Sequence, residues 1–148
     1  MKKTLIVAFS VFLALGAVAQ SVQEGVKHLY ADRIASAKTN FEKMLASNPN
    51  NLEAVYWLGQ THIENDDIAN AKAVYEKALA TNGNAPLVLV GMGHVELLEN
   101  KPSEARQRFE SAISLSKSRK GNDPVVLNAI GRANVDAKAG DAAYAITK

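Results

Sequence analysis

The chain repeats itself at an offset of 34 residues, and this constrains its fold more than any other feature. Gly25, Gly59 and Gly93 fall 34 apart, as do Ala37, Ala71 and Ala105. Phe41, Tyr75 and Phe109 keep the same register, followed by Met44, Ala78 and Ala112. Four columns aligned over three copies without a gap indicate one supersecondary unit used repeatedly. Such a unit cannot bury its own apolar face and stacks on the next. A fourth copy begins after a shift of four residues, where Leu127, Ile130, Gly131 and Ala143 align with Val55, Leu58, Gly59 and Ala71.

The spacings within a copy are helical. Ala71, Tyr75 and Ala78 are separated by four and then three residues, which stacks them on one helix face. The small alanine lets a neighbouring helix approach, and the aromatic ring fills the space beyond. The recurring glycine lies inside a helical pattern, where it costs roughly 1 kcal/mol relative to alanine. Its return at each copy points to crowding of the backbone by a partner helix. Predicted helices span 21–33, 35–47, 52–65, 68–81, 86–99, 102–119, 124–138 and 141–148. Asp67, Asn100 and Asp141 fall in the short turns before second helices, and Pro102 suits a first helical turn. Asp123-Pro124 reads as an N-cap and first-turn proline. The four extra residues, within Ser116 to Asn122, are predicted as a prolonged helix end followed by a longer loop.

These columns resemble the tetratricopeptide repeat. That family places a bulky apolar residue, then Leu-Gly, then Tyr in its first helix. Its second helix carries Ala-x3-Phe/Tyr-x2-Ala, with Pro five residues later. The second copy here supplies Val55, Leu58-Gly59, Ala71, Tyr75 and Ala78; the first supplies Ala37, Phe41, Met44 and Pro49. The chain departs from the pattern where His28, His62 and Glu96 occupy the first-helix Tyr column, and only Pro49 fills the Pro column. The resemblance covers about residues 21–148. It implies an all-α, right-handed solenoid of antiparallel helix pairs, with repeats at about 18–51, 52–85 and 86–119 and an incomplete one at 124–148.

The resemblance further implies that first helices line a concave groove. The family's groove columns fall on Val22, Val26, Leu29 and Tyr30; on Glu53, Tyr56, Gln60, Ile63 and Glu64; on Leu87, Val90, His94, Leu97 and Leu98; and on Val125, Asn128, Arg132, Val135 and Asp136. Candidate peptide contacts are Tyr30, Tyr56, Gln60, Ile63, Leu87, Val90, His94, Leu97, Asn128 and Arg132. The set is mainly apolar with a few acids and suits an extended or helical peptide with apolar side chains; the competing reading packs many of these residues against neighbouring helices. The clamp that some family members use for a C-terminal carboxylate needs Lys and Asn. Its columns here read Val22, Tyr56 and Val90, then Val26, Gln60 and His94, so that ligand is not expected.

The first residues read differently. Lys2 and Lys3 precede an apolar stretch from Leu5 to Leu15, and Gly16-Ala17-Val18-Ala19 forms a small-residue cleavage site. Residues 1–19 are therefore expected to be a bacterial signal peptide cut after Ala19, with an uncleaved anchor as the alternative. The expected location is the periplasm or outside the cell, with no membrane insertion after cleavage. The chain holds 17 Lys+Arg and 15 Asp+Glu. Removing Lys2 and Lys3 leaves 15 of each, and nothing then argues for nucleic acid as a partner. No cysteine is present, which excludes disulfides, thiolate metal sites and a lipoprotein anchor.

No catalytic motif is found: G-x-S-x-G, the P-loop, G-x-G-x-x-G and H-E-x-x-H are all missing. His28 with Asp32, and His62 with Asp66, are each four apart and could share a helix face. We read them as packing and turn positions rather than a metal site, since two such pairs would have to converge. No cofactor is expected. The cluster Lys117, Ser118, Arg119 and Lys120 is read as solvated surface. The functional expectation is a non-enzymatic scaffold that binds a peptide or partner protein. The alternatives are a docking region of a longer protein or enzyme, or a self-assembling module joined through its open C-terminal end. Lys148 falls about eight residues into the last predicted helix, so the chain is expected to be the N-terminal piece of a longer repeat protein.

Overall fold

Local chemistry sets where each described helix begins, except the one at Ile34–Ser47. Ser21, Asn51, Asp67 and Asp123 each accept a backbone N–H from the first turn through their side chains, satisfying a donor that has no partner within the helix. Pro86 and Pro102 open two further helices, and Pro124 follows the Asp123 cap, at positions where a missing N–H costs nothing. The computed structural model describes residues 21–137. The leader at 1–19 and the helix expected over 141–148 lie outside the described residues. The elements are α1 (Val22–Tyr30), α2 (Ile34–Ser47), α3 (Leu52–Glu64), α4 (Ile68–Thr81), α5 (Pro86–Leu98), α6 (Pro102–Ser116) and α7 (Pro124–Asp136). The fold class is all-α, a solenoid of antiparallel helix pairs. Among the described residues no helix is long and apolar enough to cross a membrane.

Each turn from a first to a second helix is built on one left-handed residue: Asp32, Asp66 and Asn100, with φ of 56°, 55° and 59°. They too are 34 apart. The amide of the next residue reaches back to a carbonyl five positions earlier, Arg33 to His28, Asp67 to His62 and Lys101 to Glu96, at 2.8–2.9 Å. This is a Schellman closure, in which Asp and Asn replace the usual glycine because their short polar side chains tolerate the conformation. It ends α1 at Tyr30, short of the predicted 33. It also gives the two histidine–aspartate pairs a different role. Asp32 and Asp66 are corner residues, while His28 Nε2 lies 3.7 Å from Glu24 and His62 Nδ1 lies 3.2 Å from Asp67.

The extra residues after α6 also depart from expectation. The helix stops at Ser116 rather than 119, because Lys117 is extended (φ −64°, ψ 129°). Ser118 and Gly121 then exchange backbone hydrogen bonds of 2.9 and 3.1 Å, and Gly121 takes φ 113°, a value that favours glycine. The insertion is a tight turn, not a longer helix.

Successive first helices touch one another (α1 with α3, α3 with α5, α5 with α7), whereas no successive second helices make a comparable contact. Spacing is therefore shorter along the first-helix side, and the array curves with that side inward. Between the layers, Phe41, Tyr75 and Phe109 are fully buried beside Ala37, Ala71 and Ala105. A Cβ on Gly25 would stand 2.5 Å from the Phe41 ring, and one on Gly93 2.5 Å from Phe109. The glycine column is thus the seat of the aromatic column. Tyr75 is seated twice, since a Cβ on either Gly59 or Gly91 would run into its ring. Gly59→Ala is expected to lower unfolding free energy by about 1–3 kcal/mol despite alanine's better helix propensity, as read by urea denaturation.

Candidate functional site

The inner wall is organised by one buried chain of hydrogen bonds. The Tyr75 hydroxyl donates to the Tyr56 carbonyl at 3.0 Å and accepts from Gln60 Nε2 at 2.9 Å. Gln60 Oε1 is then the acceptor that faces His94 Nδ1, at 3.3 Å. His94 must carry its proton on Nδ1, because Oε1 cannot donate. Burial, followed by the nearby Arg132 charge, pushes the His94 pKa down to about 4, so the ring is neutral. The chain ties α4 to α3 and α3 to α5, setting the curvature of the wall.

In front of it lies an aromatic shelf. The Tyr30 and Trp57 rings meet edge to face at 6.4 Å, and Tyr56 and Trp57 at 5.2 Å. The Arg132 guanidinium sits 4.6 Å from the centre of the Trp57 ring, a geometry worth about 0.5–2 kcal/mol. Three first helices, α1, α3 and α7, thus meet around Trp57, the only tryptophan in the chain. Burial pushes the Tyr56 hydroxyl up to about 12, with Arg132 opposing the shift, so Tyr56 stays protonated as a donor.

Carboxylates rim the shelf. Glu64 ends α3 and Asp136 ends α7. Burial raises the pKa of both, and Arg132 pulls both down. Glu64 also feels the negative charges of Asp136, Asp32 and Asp66. Glu64 and Asp136 therefore share the field of one guanidinium. Both helix ends add to the imbalance, because a helix C-terminus already carries negative partial charge.

The structure sorts the candidate contacts by access. Tyr30 is 69% exposed, Asn128 is exposed, and Arg132 is half-buried. Ile63 and Leu87 are partly buried and pack against core clusters. Val90 has no exposed surface and Leu97 is buried, both in the cluster around Phe109. These two support the wall from behind and offer no surface contact. Tyr56, Gln60 and His94 are buried as well, and the last two are spent on the hydrogen-bonded chain. The accessible part of the groove columns keeps apolar surface at Leu98, Val125 and Val135 beside Tyr30, and adds the exposed carboxylates Glu64 and Asp136. Trp57 was missed by those columns. Its position four residues after Glu53 and three before Gln60 places it on the same helix face, a signal that was available.

Residues 28–89 match the family model of the tetratricopeptide repeat. No curated protein matches the chain.

Proposed function

We infer from the chain's membership of the tetratricopeptide-repeat family that it is a scaffold which binds a peptide or partner protein on the inner face of its first helices, without catalysis of its own. Proteins of this family generally mediate protein–protein interaction. The observation that carries the reading to this face is the Tyr30–Trp57–Arg132 stack. It gathers exposed aromatic surface and a half-buried guanidinium from three helices at one place, the kind of surface where binding energy concentrates. The leader with Lys2, Lys3 and the Ala17-Val18-Ala19 site supports a periplasmic or secreted location.

The test compares proteins retained from envelope extract by the native chain and by a Tyr30→Ala, Arg132→Ala variant, after circular dichroism shows both are equally helical. The native chain is expected to retain partners that the variant loses. The same proteins held by both would sink the inner-face reading.

A further inference from the structure

The charges are not spread evenly over the two layers. The four first helices carry five carboxylates, Glu24, Glu53, Glu64, Glu96 and Asp136, against two cations, Lys27 and Arg132. The three second helices carry four carboxylates against six cations. Glu96 is buried 3.1 Å from Arg108 of α6 and adds nothing to the surface; the remaining charges still leave the first-helix layer more negative than the second. The imbalance peaks at the shelf, where Asp136, Asp32 and Asp66 add their negative charge at Glu64 and Arg132 alone opposes them. This arrangement works against local stability, because Glu64 and Asp136 stand at helix C-termini.

Two independent features of the same place favour a cation. The Trp57 ring already holds a guanidinium on its face, so the shelf has the geometry that cationic side chains seek. The rim is also reachable, since Glu64 and Asp136 are exposed at the ends of α3 and α7.

We propose that the occupant of the inner face is an extended segment of a partner protein that presents a lysine or arginine to the Glu64–Asp136 rim, with flanking apolar residues laid on Tyr30 and Trp57. This rests on the inner-face reading above and adds the sign of the charge. The partner's cation relieves the crowding of carboxylates around Glu64, and its N–H donors meet the carboxylate oxygens exposed at the rim.

Trp57 reports binding directly, since no other tryptophan contributes to the emission. The full chain is titrated with three pools of short, apolar-rich peptides, identical except for a fixed central Lys, Gln or Glu. The Lys pool is expected to bind about tenfold more tightly than the Gln pool, and the Glu pool more weakly still. The preference should shrink several-fold at about 0.5 M salt. A Glu64→Gln, Asp136→Asn variant is expected to bind the Lys and Gln pools alike. Equal or tighter binding of the Gln or Glu pool by the native chain overturns the proposal and leaves the inner-face reading standing. So does a Lys preference that survives in the variant. Failure of all three pools to bind overturns the inner-face reading, and this inference with it.

Discussion

Tyr75→Ala is expected to lower the unfolding free energy by about 3–5 kcal/mol. The side chain is fully buried, and its ring lies against backbone on both sides, at Gly59 of α3 and Gly91 of α5. Those helices cannot close on the space it would leave, because α5 is also held by Phe109 against Gly93. The hydroxyl adds a second component. Tyr75→Phe keeps the packing but leaves the buried Gln60 amide without its acceptor, and is expected to cost about 1–3 kcal/mol. Urea denaturation of the two variants separates ring from hydroxyl. The seat can be tested further by placing Gly59→Ala in the Tyr75→Ala background. With no ring to strike, the added methyl should cost little, and the two effects should fail to add by more than about 1 kcal/mol. Additive effects would mean that Gly59 is required for some reason other than Tyr75.

The second large effect concerns pH. His94 is neutral in the folded protein, with its pKa pushed from an ordinary 6.5 to about 4, chiefly by burial. Above about pH 6.5 the ring is neutral folded or unfolded and contributes no pH dependence. Between 6.5 and 4 the unfolded chain binds a proton that the folded chain does not, so stability falls as pH falls. The loss is up to about 1.4 kcal/mol per unit and on the order of 3 kcal/mol in total. Below about pH 4 both states are protonated and the contribution is flat. Other groups overlap this window. Glu64 and Asp136, raised by burial, give a trend of opposite sign. The Asp67 carboxyl, held low by its bonds to Asn70 and then His62, acts in the same sense as His94 but at lower pH. A His94→Gln variant isolates the term, and its stability between pH 7 and 4 is expected to fall far less than that of the native chain. Parallel curves for the two proteins would show that His94 is not the group responsible.

Much of the architecture was legible before any coordinates. The Gly, Ala and aromatic columns are local records of a repeated contact, and repetition makes them visible. Asp67, Asp123, Pro102 and Pro124 act through their own backbone, so their positions in sequence sufficed to locate helix starts. Gly91 was not legible. It has no counterpart at the 34-residue offset, and only the placement of Tyr75 shows why it is small. The corner residues Asp32, Asp66 and Asn100 do recur at that offset, but their residue types are compatible with caps, turns or metal ligands. The choice among these depends on a backbone angle that residue type alone does not specify.

The groove shows the same division more sharply. The family's groove columns named Tyr56, Gln60, Val90, His94 and Leu97 as inward-facing positions of first helices, and the structure buries all five. A column reports the direction in which a side chain leaves its helix, and says nothing of how deep the neighbouring helix comes. Close contact between successive first helices buries these five and leaves Tyr30, Trp57, Arg132, Glu64 and Asp136 to meet solvent. The sequence by itself determined the repeat and the helix pairs. The tertiary structure decided which residues of the first helices remain reachable, and with them the mixture of apolar, aromatic and acidic groups they present. Exposure is a property of inter-helix distance, which side chains from three helices set together and no single segment encodes.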